Sequence, residues 1–455
     1  MSVLLLILLI RYVSMDNRKK IQRAWTMYDW ANSVYNLVIT STIFPAYYVA
    51  ITSSNNNEQS YVNFFGHQFI NTALQNYALA IVFFIVAISS PILSSIADYR
   101  GNKKAFMRFF VVIGSLSCSL LFFFTPEKIE WGIIFFALAA LGFWSSLVFY
   151  NSYLPDIATP EERDGLSARG FAMGYIGSVL LQLICFVVIL QPSLFGLDPN
   201  DKTLGPRISF LLVGCWWLGF AQITFRSLPS NTEQNKQLKK HLLINGFHEL
   251  KQVWNQAKQI PALKRYLVSF FLFSVGVQTV MLVAASFSKK EIFPKPEDEP
   301  KLIMTIILIQ LVALVGAILM SRLSKWIGNI YTLVVAVFIW IGICLWGYFI
   351  QSQTEFYILA ACVGLVMGGI QTIGRSTYSK LIPPTEDTTS FFSFYDVTEK
   401  IALTIGLFLF ARNEELTGSI RNSILVLMLF FIFSFFALLY TKKVVTKEKY
   451  ASLFN

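Results

Sequence analysis

The sequence predicts an all-α polytopic membrane protein of about twelve transmembrane helices, arranged as two sets of six. Three observations carry that expectation. Apolar runs long enough to cross a bilayer recur along the whole chain, charged residues are largely confined to the connections, and one polar segment divides the runs six and six. Of the 455 residues, 55% are hydrophobic and only 14% charged, and 42 are phenylalanine. A water-soluble domain carries charge on roughly a quarter of its residues, so this composition names lipid as the solvent. Hydrocarbon admits only helices and closed barrels, and the runs are too long and too unalternating for barrel strands.

A hydrocarbon core of ~30 Å needs about 20 apolar residues per helix. Runs of that kind lie at about 27–51, 74–97, 105–125, 130–151, 170–191 and 208–226, then at about 265–288, 301–322, 328–350, 355–374, 391–411 and 421–441. They define a cytoplasmic amino-terminal segment 1–26, a six-helix bundle 27–226, a linker 227–264, a second bundle 265–441 and a tail 442–455. With the amino terminus in the cytoplasm, about 27 of the 37 Lys and Arg fall on cytoplasmic ends and loops, and the reverse orientation inverts the ratio. Both termini are therefore expected in the cytoplasm. The loop Lys289 to Lys301 would face outward with four lysines balanced by four acids. Ser2 to Ile10 is apolar but too short to span and has no small-residue cleavage site. Residues 1–14 read as an extension ahead of a translation start at Met15, which precedes the basic stretch Arg18-Lys19-Lys20.

The linker interleaves Lys236, Lys239, Lys240, Lys251 and Lys258 with Leu242, Leu243, Phe247, Leu250, Val253 and Trp254. That pattern suits a basic amphipathic helix lying on an anionic leaflet; a solvated connection is the plainer alternative. A faint internal repeat supports two matched halves. Gly101 and Gly328, in the loops after the second and eighth spans, are offset by about 227 positions, and Tyr153, Ile157, Glu161 and Glu162 recur as Tyr378, Ile382, Glu386 and Asp387 at about 225.

Composition also excludes whole classes of chemistry. The net charge of +11 is distributed as topology determinants and not as a nucleic-acid footprint. Cys118, Cys185, Cys215, Cys344 and Cys362 sit within apolar runs and read as buried, inert thiols. His67, His241 and His248 are too scattered for a metal site. Gly369-Ile370-Gln371-Thr372-Ile373-Gly374-Arg375-Ser376 has phosphate-loop spacing, but it runs out of an apolar helix whose amides are already committed. No metal, no cofactor and no enzyme activity are expected, and with no nucleotide site the work would be driven by an ion or solute gradient.

Two sets of residues carry a resemblance. Ser94-Ser95-Ile96-Ala97-Asp98-Tyr99-Arg100-Gly101-Asn102-Lys103-Lys104 resembles the loop signature of the major facilitator superfamily, with Ser94 for the usual leading glycine and Tyr99 for a basic residue. An Asp at a helix end can accept from the amino-terminal amides of a neighbouring helix and from a cation, so Asp98, Arg100, Gly101, Lys103 and Lys104 are a candidate gating latch. A generic positive-inside loop is the alternative. The stretches Ala24 to Ser33, Asn151-Ser152-Tyr153-Leu154-Pro155 with Thr159-Pro160-Glu161-Glu162-Arg163, and Gly368-Gly369-Ile370-Gln371 with Arg375-Ser376 together resemble the vacuolar amino-acid effluxer-like branch of that superfamily. The resemblance runs from about Arg23 to Tyr440. It implies a 6+6 major facilitator fold and, by analogy, export of amino acids.

Charged or strongly polar residues inside a span are costly, and each is a candidate for function. Asp29 begins the first span with Asn32 and Asn36 on the same face. Arg375 closes the tenth, one turn after Gln371, and Asp396, Glu399 and Lys400 lie in the eleventh. Asp396 and Lys400, at i and i+4, can neutralise each other, which leaves Glu399 without a local partner, as a proton carrier requires. Residues that merely anchor helix ends in the headgroup zone are the alternative. Asn32, Asn36, Tyr150, Asn151, Gln278 and Gln371 are the substrate-cavity candidates. Gly170, Gly174 and Gly177, and Gly364 with Gly368, permit close helix approach.

The expected function is secondary active transport by alternating access, moving a small polar solute, amino acids among them, with proton coupling at Glu399 or Asp29. A sensor or lipid scramblase on the same fold, without coupled transport, stays open as the alternative. The partners expected are a small-molecule substrate, protons and membrane lipids, with no nucleic acid and a monomeric chain. The absence of Asn-x-Ser/Thr and the short loops favour a bacterial inner membrane.

Overall fold

Lipid offers a backbone no hydrogen-bond partner except the backbone itself, and the chain answers with helix nearly throughout. The computed structural model describes residues 2–52, 61–230, 242–293, 295, 299–385 and 387–454. Its elements are α1 (Ser2–Val34), a π-helical stretch Tyr35–Ile43, α2 (Phe44–Thr52), the hairpin β1 (Tyr61–Phe64) and β2 (His67–Ile70), α3 (Asn71–Arg100), α4 (Lys103–Leu120), α5 (Ile129–Ser152) and α6 (Leu154–Ile157). Then come α7 (Pro160–Leu190), α8 (Leu204–Ser227), α9 (Leu242–Gln259), α10 (Pro261–Glu291), α11 (Glu299–Ile327), α12 (Asn329–Phe349), α13 (Gln353–Leu381), α14 (Thr388–Thr417) and α15 (Ile420–Phe454).

Among the described residues, 11 helical segments are long and apolar enough to cross a membrane. The twelfth of membrane length is α14, 30 residues long. It stands apart because Asp396, Glu399 and Lys400 interrupt its apolar character near the middle. Several helices overrun the expected apolar runs, α13 reaching Leu381 and α14 Thr417, because the last turns leave the hydrocarbon and take polar residues. All five cysteines are free, but Cys215 is exposed on α8 and Cys362 is half-buried, so the expectation of uniformly buried thiols fails for those two. An apolar run fixes the depth of a residue and not the side of the helix on which it falls.

The chain forms two compact units. The first comprises Met1–Ser89, Ile96–Thr159 and Ile176–Leu238; the second comprises Ser90–Ser95, Pro160–Tyr175 and Lys239–Asn455. The division therefore runs through α7.

In the first unit the core is aromatic. Phe44 stacks on Phe136 with centroids 4.1 Å apart, and Trp25, Tyr28, Tyr35, Tyr150 and Trp217 are fully buried. The π-helical stretch precedes Pro45, which has no N–H to donate. Within the stretch the hydroxyls of Ser41 and Thr42 donate to the carbonyls of Asn36 and Leu37, each at 2.8 Å. α3 ends at Gly101, whose φ of +64° favours glycine and whose N–H reaches back to the last turn. Gly328, at the turn between α11 and α12, also takes a positive φ, +82°.

In the second unit α11 and α13 pack backbone to backbone. A Cβ on Gly368 would fall 2.0 Å from the Ala313 carbonyl oxygen, and one on Gly316 would fall 2.0 Å from that of Leu365. α9 buries Val253 and Ala257, and Trp254 stacks on Phe394 of α14 at 5.8 Å, so this stretch of its apolar face is covered by protein. Lys236, Lys239 and Lys240 lie outside the described residues, as do Glu386 and the side chains of Leu242, Leu243, Phe247 and Leu250.

Candidate functional site

Each unit holds buried polar groups inside its membrane-spanning helices. In the first unit a cluster of them is built by α1 and α5. Asp29 is buried, and Tyr150 Oη donates to its Oδ2 at 2.7 Å. One turn away, Tyr28 Oη donates to Ser146 Oγ at 2.7 Å. The indole of Trp25 donates to the Tyr150 carbonyl at 3.0 Å and stacks on the Tyr150 ring at 4.4 Å. Trp25 thus holds Tyr150 twice, by stacking on its ring and by bonding its backbone, with the phenol directed at Asp29. Asn32 is buried one turn further along α1, and its Nδ2 has no hydrogen-bond partner among the described residues. Such a donor is a ready contact for a polar ligand. Asn36 is half-buried in the π-helical stretch, and Asn151 ends α5 half-buried.

Gln182 on α7 belongs with this set although the sequence reading passed over it. It is fully buried, accepts from Thr42 Oγ1 at 2.8 Å, and its Nε2 has no partner among the described residues. An amide inside the apolar run 170–191 was the available signal.

In the second unit α10 links α13 to α14. Gln278 Nε2 donates to Glu399 Oε1, so the carboxylate without a local partner on its own helix has one from another. Helical spacing within α14 could not show it. Asp396 and Lys400 form the i, i+4 ion pair at 3.3 Å, both buried. On the same face of α10, three residues on, Met281 Sδ lies 3.3 Å from Gln371 Nε2, and Gln371 Oε1 accepts from Tyr175 Oη at 2.9 Å. A line of half-buried polar groups therefore runs from Gln371 past Met281 and Gln278 to Glu399.

Arg375 sits within α13 and does not close it. It is buried, with Nε and Nη2 donating to Ser167 Oγ and O at 3.0 Å each and its guanidinium 4.1 Å from the Phe171 centroid. Nearby, Asp164 accepts from Lys380 Nζ at 2.6 Å, Asn329 Nδ2 at 2.7 Å and Ser324 Oγ at 3.1 Å. The sequence reading named neither Asp164 nor Ser167, because their partners lie some 160 to 216 positions away.

The candidate latch is built on the turn at Gly101. Lys103 is buried, pairs with Asp156, and its Nζ lies 4.4 Å from the Tyr153 ring centroid. Lys104 donates to the Leu228 carbonyl at 2.8 Å. Asp98 is half-buried and Arg100 exposed in the last turn of α3. Among the described residues no group of His, Cys, Asp and Glu could hold a metal ion.

Solved transporter structures share this fold. The Escherichia coli fucose:proton symporter FucP superposes with a TM-score of 0.66 at 14% identity, over 93% of this chain and 98% of that one. The human organic anion transporter MFSD10 does so at 0.67 and 11%, over 92% and 99%. An uncharacterised MFS-type transporter of Bacillus subtilis (strain 168), YxiO, is 32% identical over 416 residues, 91% of this chain and 92% of the relative. Autophagy-related protein 22-2 of Penicillium rubens is 24% identical over 467 residues, 82% of this chain and 76% of that one. The extent of the match to YxiO places this chain among transporters of the major facilitator type. The model of the family described as "Vacuole effluxer Atg22 like" matches residues 17–449. The chain belongs to that family.

Proposed function

We propose that this chain is a secondary active transporter that exports small zwitterionic solutes, amino acids foremost, by alternating access and in exchange for protons. The observation that carries the reading is Glu399. It lies about 16 Å along α14 from Thr388, at 1.5 Å per residue, roughly halfway through a ~30 Å hydrocarbon core. Asp396 already has its cation in Lys400, and Glu399 is bonded to the neutral amide of Gln278. A carboxylate at that depth is costly unless it binds a proton or a cationic group. A zwitterion would find an acceptor for its ammonium group at Glu399 and amide donors at Gln278 and Gln371. Asp29 and Asn32 offer a similar mixture in the first unit. The description of the matched family as a vacuole effluxer supports movement of solute out of a compartment.

The wider arrangement follows the same reading. Two bundles, 27–226 and 265–441, rock about a hydrated centre, joined by the linker 227–264, with the loop Asp98 to Lys104 as the latch. Both termini face the cytoplasm of a bacterial cell. Purified protein in proteoliposomes should accumulate amino acids when the lumen is made acid relative to the bath, and should not when it is made alkaline. Glu399→Gln should abolish the response to the pH step and weaken binding of solutes that carry an ammonium group. Uptake that ignores the pH step in the wild type sinks the coupling, and absence of any accumulation points instead to a sensor or scramblase.

A further inference from the structure

The hairpin Tyr61 to Ile70 is an unusual place for aromatic side chains. Its register pairs Tyr61 with Ile70, Val62 with Phe69, Asn63 with Gln68 and Phe64 with His67, leaving Phe65-Gly66 as a two-residue turn. Both turn residues have positive φ, +50° at Phe65 and +82° at Gly66. Asn or Gly is the usual residue at the first position, because a Cβ and a ring are strained there. A bulky residue held in left-handed backbone at a solvent-facing tip calls for a reason beyond folding. Water does not supply it, since Phe65 is 66% and Tyr61 67% exposed.

The surroundings supply one. Val62 is buried where β1 meets α5, which fixes the hairpin to the bundle. From the tip, rings run back toward the helices: Phe65 against Phe64 at 4.8 Å, Phe64 against Phe69 at 6.3 Å, and Phe69 against Tyr77 at 6.4 Å. Tyr77 heads the exposed stripe of α3 that continues through Ile81, Phe84, Ile85 and Ile88. Those positions, at i, i+4, i+7, i+8 and i+11, are one face of a helix that crosses the membrane, so the stripe faces hydrocarbon. Tyr77 lies about 9 Å along α3 from Asn71, which puts the hairpin at headgroup depth. Trp131, at the start of α5, is exposed at the same end of the unit. Aromatic rings gather at that depth because each combines an apolar body with a polar or polarisable edge.

We infer that the hairpin is an interfacial anchor: Phe65 and Tyr61 insert among the headgroups of the leaflet opposite the Gly101 turn, as a continuation of the lipid-facing stripe of α3. The occupant of this surface is the bilayer itself. The anchor fixes the depth of the first unit, because α3 joins the hairpin without an intervening loop.

The test uses the full chain in nanodiscs, with Cys215→Ser and Cys362→Ser removing the accessible thiols. Phe65→Cys carries an environment-sensitive fluorophore, and Asn200→Cys, in the exposed loop at the same end of the unit, serves as the aqueous reference. Emission at position 65 should be blue-shifted relative to position 200. It should be lost to a nitroxide on a shallow acyl carbon and protected from iodide. Iodide access equal to that at position 200 overturns the inference. Protection from both quenchers overturns it too, because the tip would then be covered by protein.

Discussion

Gln278 of α10 donates its side-chain amide to the Glu399 carboxylate of α14, so a charge near the middle of a membrane-length helix rests on a neutral partner. A neutral partner satisfies the carboxylate without cancelling its charge, which leaves room for a proton or a substrate ammonium group. Hydrogen bonds to charged groups are worth about 1.5–3 kcal/mol. Gln278→Ala should therefore weaken solute binding by about 10-fold to 100-fold, at 1.4 kcal/mol per decade, while transport still responds to pH. Glu399→Gln should weaken binding of zwitterions as well, because their ammonium group loses its acceptor, and should in addition lose the pH response. Binding isotherms beside pH-step uptake separate the two. Equal effects of both changes on both readouts would contradict separate roles.

The Asp396–Lys400 pair is a stability element by the same logic. Both side chains are buried, with Nζ 3.3 Å from Oδ1. Removing one member of a buried pair costs about 3–5 kcal/mol, because a charge is left in low dielectric without its counter-ion. Asp396→Asn alone should lower the melting temperature sharply. Asp396→Asn combined with Lys400→Met should recover much of the loss, since no net charge then remains. Thermal unfolding of the single and double variants in one detergent reads this directly. If the double variant unfolds as early as the single, the pair is not what stabilises that turn.

How far the sequence carried these conclusions depends on what each feature needs. The long helices are legible because lipid forces every backbone group to pair locally, and an apolar run of sufficient length can do little else. Asp396 and Lys400 are legible for the same reason, as neighbours one turn apart. Gln278 against Glu399, Tyr175 against Gln371 and Ser167 against Arg375 join residues 121 to 208 positions apart, and helical periodicity holds no information at that distance. The hairpin escaped notice because its turn is Phe65-Gly66, without the Asn or Asp that marks such turns. The apolar runs end before α13 and α14 do, because the last turns of both helices carry polar residues that an apolar window rejects.

Tyr150 poses Asp29 as Gln278 poses Glu399, through a phenol at 2.7 Å. Tyr150→Phe keeps the stack on Trp25 and removes only the donor. It should cost transport about 10-fold or more, in keeping with a bond of about 1.5–3 kcal/mol to a charged group, and leave the melting temperature within a few degrees. Asp29→Asn should give a loss of similar size, and the two changes together little more than either alone. Additive losses would show that the phenol and the carboxylate act independently.

The packing of α11 on α13 sets the position of Gln371, one turn past Gly368. A methyl at Gly368 would meet the Ala313 carbonyl oxygen at 2.0 Å, and a backbone oxygen cannot swing aside as a side chain can. Gly368→Ala must push the helices apart, at about 1–3 kcal/mol for overpacking. Gly342 on α12 has no atom within 4 Å of the same methyl, so Gly342→Ala gains helix propensity of up to about 1 kcal/mol with nothing opposing it. The first variant should melt earlier than the wild type and the second at the same temperature or later. Displacement of α13 also carries Gln371 away from Tyr175 and Met281, so Gly368→Ala should weaken solute binding while Gly342→Ala leaves it unchanged. If Gly368→Ala melts early but binds normally, the line from Gln371 to Glu399 is not part of the solute site.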